Sequence, residues 1–109
     1  MSEFRSLRYK DLYIQLETKD GELPIIKMEI GGDIATNAIQ YKDAIKIYKK
    51  AEEIIEKIAE EIYNLNKADS DICEYTFLSF VDDRLSSCKR LKKMRNDMYY
   101  ISKVIRNFK

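Results

Sequence analysis

The sequence contains no histidine and no tryptophan, and it has only two cysteines, three glycines and one proline. Without histidine, the chain lacks the side chain that most often acts as an acid or base near neutral pH. The cysteines, Cys73 and Cys88, form no C-x-x-C motif, and the usual zinc frameworks are therefore absent. The sequence also lacks a G-x-S-x-G motif and a glycine-rich phosphate loop. We therefore expect a protein that is not an enzyme and that holds no metal and no cofactor.

Long hydrophobic runs are also absent, although 45% of the 109 residues are hydrophobic. This length and composition predict one globular domain over residues 1–109, without membrane insertion. The first residues have no apolar stretch of the kind found in secretory signals. We therefore expect a cytoplasmic location.

A β-hairpin is predicted for residues 9–30. Apolar side chains recur at every second position in two runs: Leu12, Ile14 and Leu16, and then Ile26, Met28 and Ile30. Gly21, between the two runs, suits the tight turn of a hairpin. Two strands alone are marginal in water, so this hairpin must rest on helices, recruit a third strand or pair with another chain.

A long amphipathic helix is predicted for residues 33–67, with Asp33 or Thr36 as its N-cap. Its apolar seam has alternating spacings of three and four residues and consists of Tyr41, Ala44, Tyr48, Ala51, Ile55, Ile58, Ile62 and Leu65. A seam of this length favours packing along another long helix, either from this chain or, as in a coiled coil, from a second copy.

A second helical segment is predicted for residues 71–108, where Asp71 and Glu74 have the spacing of a capping box. The aromatic stretch 73–81 has a third strand as its alternative. The segment carries two apolar clusters on opposite sides of a helical projection: Leu78, Val81, Leu85 and Cys88, and then Leu91, Met94, Met98, Ile101 and Ile105. One straight helix would bury both sides, so either the helix breaks near residues 85–91 or its halves pack on different partners.

These elements predict an α+β fold that is mainly α, with the N-terminal β-hairpin packed on two long antiparallel helices. The chain carries a net charge of only +1, but the charge is unevenly distributed. Residues 11–74 carry fifteen acids and eight bases, whereas residues 84–109 carry nine bases and one acid, Asp97.

Basic and tyrosine side chains share one face of the C-terminal helix on the same projection. This basic face comprises Lys89, Lys92, Lys93, Asn96, Tyr99, Tyr100, Lys103 and Arg106. Cations for phosphates and flat rings for bases are what a nucleic-acid surface uses, and an acidic protein partner would suit the same charges. The alternative is a solvated helix face whose charges are balanced by the acidic side chains of the first helix.

Two functional hypotheses follow. The first is a non-enzymatic interaction or regulatory protein that acts through a helix-mediated homodimer and binds another macromolecule, most simply a protein partner. The alternative is a nucleic-acid-binding protein that uses the basic face of its C-terminal helix.

Overall fold

The computed structural model describes residues 2–66, 76–83 and 89–109, in which four strands are followed by three helices. The strands are β1 (Glu3–Tyr9), β2 (Leu12–Thr18), β3 (Ile25–Ile30) and β4 (Asp33–Ala38), and the helices are α1 (Tyr41–Asn66), α2 (Phe77–Asp83) and α3 (Lys89–Asn107). The strands form one antiparallel sheet in the order β1-β2-β3-β4. This confirms an α+β fold with a sheet at the N-terminal end followed by a long helix and a C-terminal helix. Within the described ranges, no helix is long and apolar enough to cross a bilayer.

The predicted hairpin is present as β2 and β3, and it lies at the centre of the sheet. Its alternating apolar residues all point to one face, where each is at most 1% exposed. The partners Leu12 and Ile30, Ile14 and Met28, and Leu16 and Ile26 lie opposite one another. Of the three supports that the sequence left open, two are present, because the hairpin gains a strand on each side and rests on helices.

The prediction that residues 33–40 begin the long helix is wrong, because residues 33–38 form β4 and α1 begins at Tyr41. Gly31 and Gly32 form a two-residue turn between the paired residues Ile30 and Asp33, so the chain reverses instead of entering a helix. The sequence obscured this strand because its inward-facing side chains, Ala35 and Asn37, are small or polar. Pairing with β3 outweighs the local capping signals.

Strand β1 was not predicted, because polar side chains interrupt its alternation. Its inward-facing residues are Arg5, Leu7 and Tyr9, all half-buried. Phe4 and the other outward-facing residues are exposed. A strand with one long apolar side chain on its inner face has too weak a period for recognition from sequence.

The core lies between the inner face of the sheet and the helices. On the sheet, α1 packs mainly on β2 and α3 mainly on β4 and β3, so each helix covers about half of the sheet, and the two helices also pack on each other. Tyr48, Ile55 and Ile58 of α1 are each at most 1% exposed, and so are Met98 and Ile105 of α3. Burying one large aliphatic side chain contributes roughly 1.5–3 kcal/mol, which makes this layer contact the main source of stability.

The second helical segment is divided between α2 and α3 in the described residues, with Leu78 and Val81 of the first apolar cluster on α2 and the second cluster on α3. Val81 of α2 and Leu91 of α3 are both fully buried in the common core. The helical alternative holds for residues 77–81. The predicted capping box at Asp71 and Glu74, the two cysteines and most of the predicted break lie outside the described residues.

Two turns and helix α2 meet at one end of the sheet. Asp11, in the β1–β2 turn, accepts hydrogen bonds from the backbone N–H groups of Phe77 and Leu78 at 2.7 and 3.1 Å. Its carbonyl also accepts a bond from the N–H of Gly31 at 2.9 Å. Thr76 accepts from the N–H of Ser79 at 3.1 Å, which completes the cap of α2. Asp11 therefore holds a short helix that lacks the length to be stable alone.

Tyr48 places a polar group in the core between α1 and β1. The Arg5 guanidinium lies over its ring, 5.1 Å from the centroid. Burial raises the pKa of Tyr48 to about 12, and a hydrogen bond to the Glu52 carboxylate acts in the same direction. Arg5 opposes this shift in part. The hydroxyl therefore keeps its proton in the folded protein well above the usual pKa of tyrosine.

We expect Gly31→Ala to destabilise the fold by about 1–2 kcal/mol, because Gly31 has a φ of 61°, in the left-handed region. An added Cβ would also lie 2.8 Å from Cδ1 of Leu78. Gly32→Ala is the matched control, since nothing lies within 4 Å of its added Cβ, and its effect should stay within about 0.5 kcal/mol. Urea unfolding measures both variants. Equal effects of the two substitutions would contradict the assigned turn.

We also expect a loss of stability between pH 10 and 12 that depends on Tyr48. The unfolded chain releases this proton near pH 10 and the folded chain near pH 12, so rising pH favours unfolding across that interval by roughly 2–3 kcal/mol in total. Tyr48→Phe keeps the ring and removes the titration, so its stability should fall less over the same interval. Urea unfolding at several pH values compares the two proteins, and identical profiles would contradict the assignment.

Candidate functional site

Helix α3 separates an apolar side from a charged side. Its buried side chains, Leu91, Met98, Ile101, Ser102 and Ile105, face the sheet and α1. Strand β4 holds the C-terminal end of the helix. Asn37 of β4 donates from its carboxamide to the carbonyls of Ile105 and Phe108 at 2.8 and 3.0 Å. The inner face of the sheet therefore fixes which side of α3 is presented to solvent.

The structure places the predicted basic face on the solvent side of α3. Lys92 is half-buried, and seven members are exposed: Lys89, Lys93, Asn96, Tyr99, Tyr100, Lys103 and Arg106. The two rings differ, since Tyr100 is 68% exposed and Tyr99 is 39% exposed. Tyr100 therefore has the more accessible ring.

Ion pairs divide these cations into anchored and available groups. Arg106 is anchored to β4, where it pairs with Asp33 and donates to the carbonyl of Ile34 at 3.1 Å. Lys93 pairs with Asp97 one turn away at 3.1 Å, with 77% and 40% of the two side chains exposed. An exposed pair of this kind contributes only about 0.3–0.5 kcal/mol, so an incoming anion can replace it. Arg106 links α3 to β4, and Lys93 is available to an incoming anion.

A groove of about 250 Å³ separates α3 from α1 beside Tyr100. Lys93, Asp97, Tyr100 and Ile101 line it from α3, and Lys50 and Ile54 line it from α1. Lys50 was not predicted from the sequence, where only the acidic side chains of the first helix were considered. The outer face of α1 is basic before Ala51, where Lys42, Lys46, Lys49 and Lys50 are exposed, and mainly acidic after it. This reversal of charge was the signal that could have identified Lys50.

The acidic half of α1 supplies a partner for a cation near the start of α3. Arg90 pairs with Glu61 at 3.5 Å. Glu53 accepts a hydrogen bond from Lys57 at 3.1 Å, and this bond lowers the pKa of the carboxyl. Part of the positive charge on α3 is thus paired with an acid of the same chain. The α3 cations near Tyr100 lie beside the basic half of α1, which includes Lys50.

The predicted helical seam lies in the core of the same chain. Six of its members are at most 3% exposed: Ala44, Tyr48, Ala51, Ile55, Ile58 and Ile62. At its ends, Tyr41 is 46% exposed and Leu65 is half-buried. The sheet, which has two more strands than the sequence predicted, and α3 together cover this surface.

The buried hydroxyl of Ser102 has no hydrogen-bond partner among the described residues, so no base activates it there. The described ranges also contain no group of three acidic or thiol side chains placed to hold a metal ion. The exposed surface formed by α3 and the first half of α1 is therefore the strongest candidate site.

Comparison with known proteins adds no family to this geometry: no protein-family model, no curated protein and no solved structure matches the chain.

Proposed function

We propose that this protein is a non-enzymatic binding protein and that the basic face of α3 contacts nucleic acid. The observation that carries the proposal is the position of Tyr100, a ring that is 68% exposed and shares a groove with Lys50 and Lys93. Two helices thus contribute cations to the surroundings of one accessible aromatic ring. Proteins that bind single strands combine a basic surface with rings on which bases stack.

The charges of this surface suit a backbone of phosphates. Lys89, Lys93 and Lys103 are exposed on α3, and Lys46 and Lys50 are exposed on the neighbouring half of α1. Each contact with a phosphate releases condensed counterions, so binding should weaken as salt concentration rises. Long lysine side chains give such a surface little base specificity.

The proposed nucleic-acid surface depends on how α1 and α3 are aligned, and we propose that the two helices run antiparallel. Arg90 near the start of α3 pairs with Glu61 near the end of α1. Phe108, just after α3, lines a small cavity with Asp43 in the first turn of α1. This alignment sets the basic half of α1 beside the second half of α3.

The helical seam is buried in the core of the same chain, so we propose that it does not form a homodimer interface. The proposed site needs no second copy, since Lys50, Lys93 and Tyr100 belong to one chain. We therefore rank nucleic-acid binding by the α3 face above a helix-mediated homodimer.

We expect Lys93→Glu to weaken binding to labelled single-stranded RNA or DNA for every sequence tested and to reduce the slope of log affinity against log salt by about 1. Lys19→Glu is the matched control, because Lys19 is also exposed and also forms an exposed ion pair, with Glu17 at 3.3 Å. Fluorescence anisotropy at several salt concentrations measures both. Equal effects of the two reversals would show that only net charge matters, and absence of binding by the parent protein would refute the proposal.

We expect Tyr100→Ala to weaken single-strand binding by roughly 5-fold to 150-fold, the range given by about 1–3 kcal/mol for one stacked base. Duplex binding should change less, because paired bases are not available for stacking. Tyr100→Phe is the control, since it keeps the ring and loses the hydroxyl. If the Phe variant lost as much affinity as the Ala variant, the hydroxyl would bind the nucleic acid through a hydrogen bond, and stacking on the ring would be refuted.

A further inference from the structure

The two edge strands of the sheet, β1 and β4, differ in how far side chains bond to their outward-pointing backbone groups. In an antiparallel sheet, alternate residues bond to the neighbouring strand, and the residues between them point their N–H and C=O groups outward. The outward residues of β4 are Ile34, Thr36 and Ala38. Arg106 donates to the carbonyl of Ile34, and the Asn37 side chain accepts from the N–H of Ala38 at 2.8 Å. Side chains thus occupy part of the β4 edge.

The β1 edge is open by comparison. Tyr9 and Leu12 close a two-residue turn, so Tyr9, Leu7 and Arg5 bond to β2, while Phe4, Ser6 and Arg8 point their backbone groups outward. All three outward residues are exposed. Among the described residues, no side chain bonds to the outward backbone groups of Phe4 and Ser6. An open strand edge of this length is a template for pairing with another strand.

Apolar and aromatic surface is concentrated along the same edge. Phe4 is 60% exposed, and on the inner face Leu7 and Tyr9 are only half-buried against the core. Tyr41 lines a cavity with Glu3 at one end of β1, and Tyr63 lines another with Tyr9 at the other end. Tyr41 and Tyr63 are 46% and 63% exposed. The core of the chain is therefore incomplete on the β1 side.

We propose that the β1 edge pairs with the β1 edge of a second copy of this chain, antiparallel and centred on Ser6, to give a continuous eight-stranded sheet. In this register the outward residues meet one another: Ser6 lies opposite Ser6 of the second copy, and Phe4 lies opposite Arg8. A two-fold axis repeats each pairing, so the surface is self-complementary.

Charge favours this register over the one centred on Arg8. Arg8 already lies over the Tyr13 ring at 4.3 Å and pairs with Glu29 at 3.7 Å, so its guanidinium is held on the outer face of the sheet. Centring on Ser6 places that cation beside the Phe4 ring of the other copy, which is a favourable contact. Centring on Arg8 would instead place two guanidinium groups opposite each other, which is destabilising.

The same two-fold axis accounts for the exposed tyrosines. It places Glu3 of one copy opposite Tyr9 of the other. The Tyr41 side chain beside Glu3 then comes to the same end of the interface as the Tyr63 side chain beside Tyr9. Helix α1 of each copy would lie next to α1 of the other on the inner side of the joined sheet. The dimer thus covers aromatic surface that the single chain leaves in water.

Sedimentation velocity over a range of concentrations tests the proposal, with a dimer expected for the parent protein. Ser6→Pro should give a monomer with an unchanged circular dichroism spectrum, because the N–H that it removes points outward and serves no bond within the chain. Thr36→Pro makes the same change on the β4 edge and should leave the dimer intact. A parent protein that stays monomeric at every concentration, or a dimer that survives Ser6→Pro, would overturn the proposal.

Two substitutions of Phe4 test the proposed register of the β1 pairing. Phe4→Lys and Phe4→Glu both remove the ring, but the first places a cation opposite Arg8 and the second an anion. Because each dimer contains this pair twice, we expect the dimer dissociation constant of the Lys variant to exceed that of the Glu variant by about tenfold. Equal constants would contradict the pairing of Phe4 with Arg8. Neither substitution alters the α3 face, so failure of this proposal is distinguishable from failure of nucleic-acid binding.

Discussion

The fold depends on covering the apolar inner face of a four-stranded sheet. Strands β2 and β3 supply six fully or almost fully buried aliphatic side chains to that face, and they must be shielded from water on one side only. Helix α1 shields one half and α3 the other. The direction in which each helix presents its charged residues follows from this contact, since the side away from the sheet is the side left in water. The candidate site is therefore a consequence of how the core is closed.

Polar contacts fix the details that apolar packing leaves open. Asp11 ties the β1–β2 turn to the start of α2, and Asn37 and Arg106 tie β4 to the end of α3. These bonds join residues more than sixty positions apart in sequence. Each also satisfies a backbone group at a helix end or a strand edge. The same side chains therefore position helices and protect the sheet.

The sequence predicted the elements whose buried side chains are large and regularly spaced. The central hairpin and α1 were recognised because isoleucine, leucine and methionine repeat with clear periods of two and of three to four residues. The two outer strands were missed because Arg5, Ala35 and Asn37 occupy inward positions there, and their burial depends on contacts with α1 and α3. Period alone also could not show whether a sheet or a second helix covers the seam of α1.

The candidate site was predictable to a similar degree. The exposure of the lysines and tyrosines of α3 follows from the helical period, because these residues alternate with Met98, Ile101 and Ile105. Lys50 could not be placed beside Tyr100 without knowing how α1 and α3 are aligned. The anchoring of Arg106 likewise needed β4, which brings Asp33 and the Ile34 carbonyl to the guanidinium. Side chains on one element were predictable, and contacts between elements were not.

The two proposed surfaces lie on different parts of the same framework, and their relation follows from the sheet. Helix α3 rests on β3 and β4, at the side of the sheet away from β1. Pairing through β1 would therefore leave both α3 faces free and on the same side of the joined sheet. With strands about 4.8 Å apart, the two α3 helices would lie roughly 30 Å from each other. A nucleic acid long enough to span that distance would meet two basic faces, and its second contact would then be intramolecular, which raises avidity without any new kind of contact.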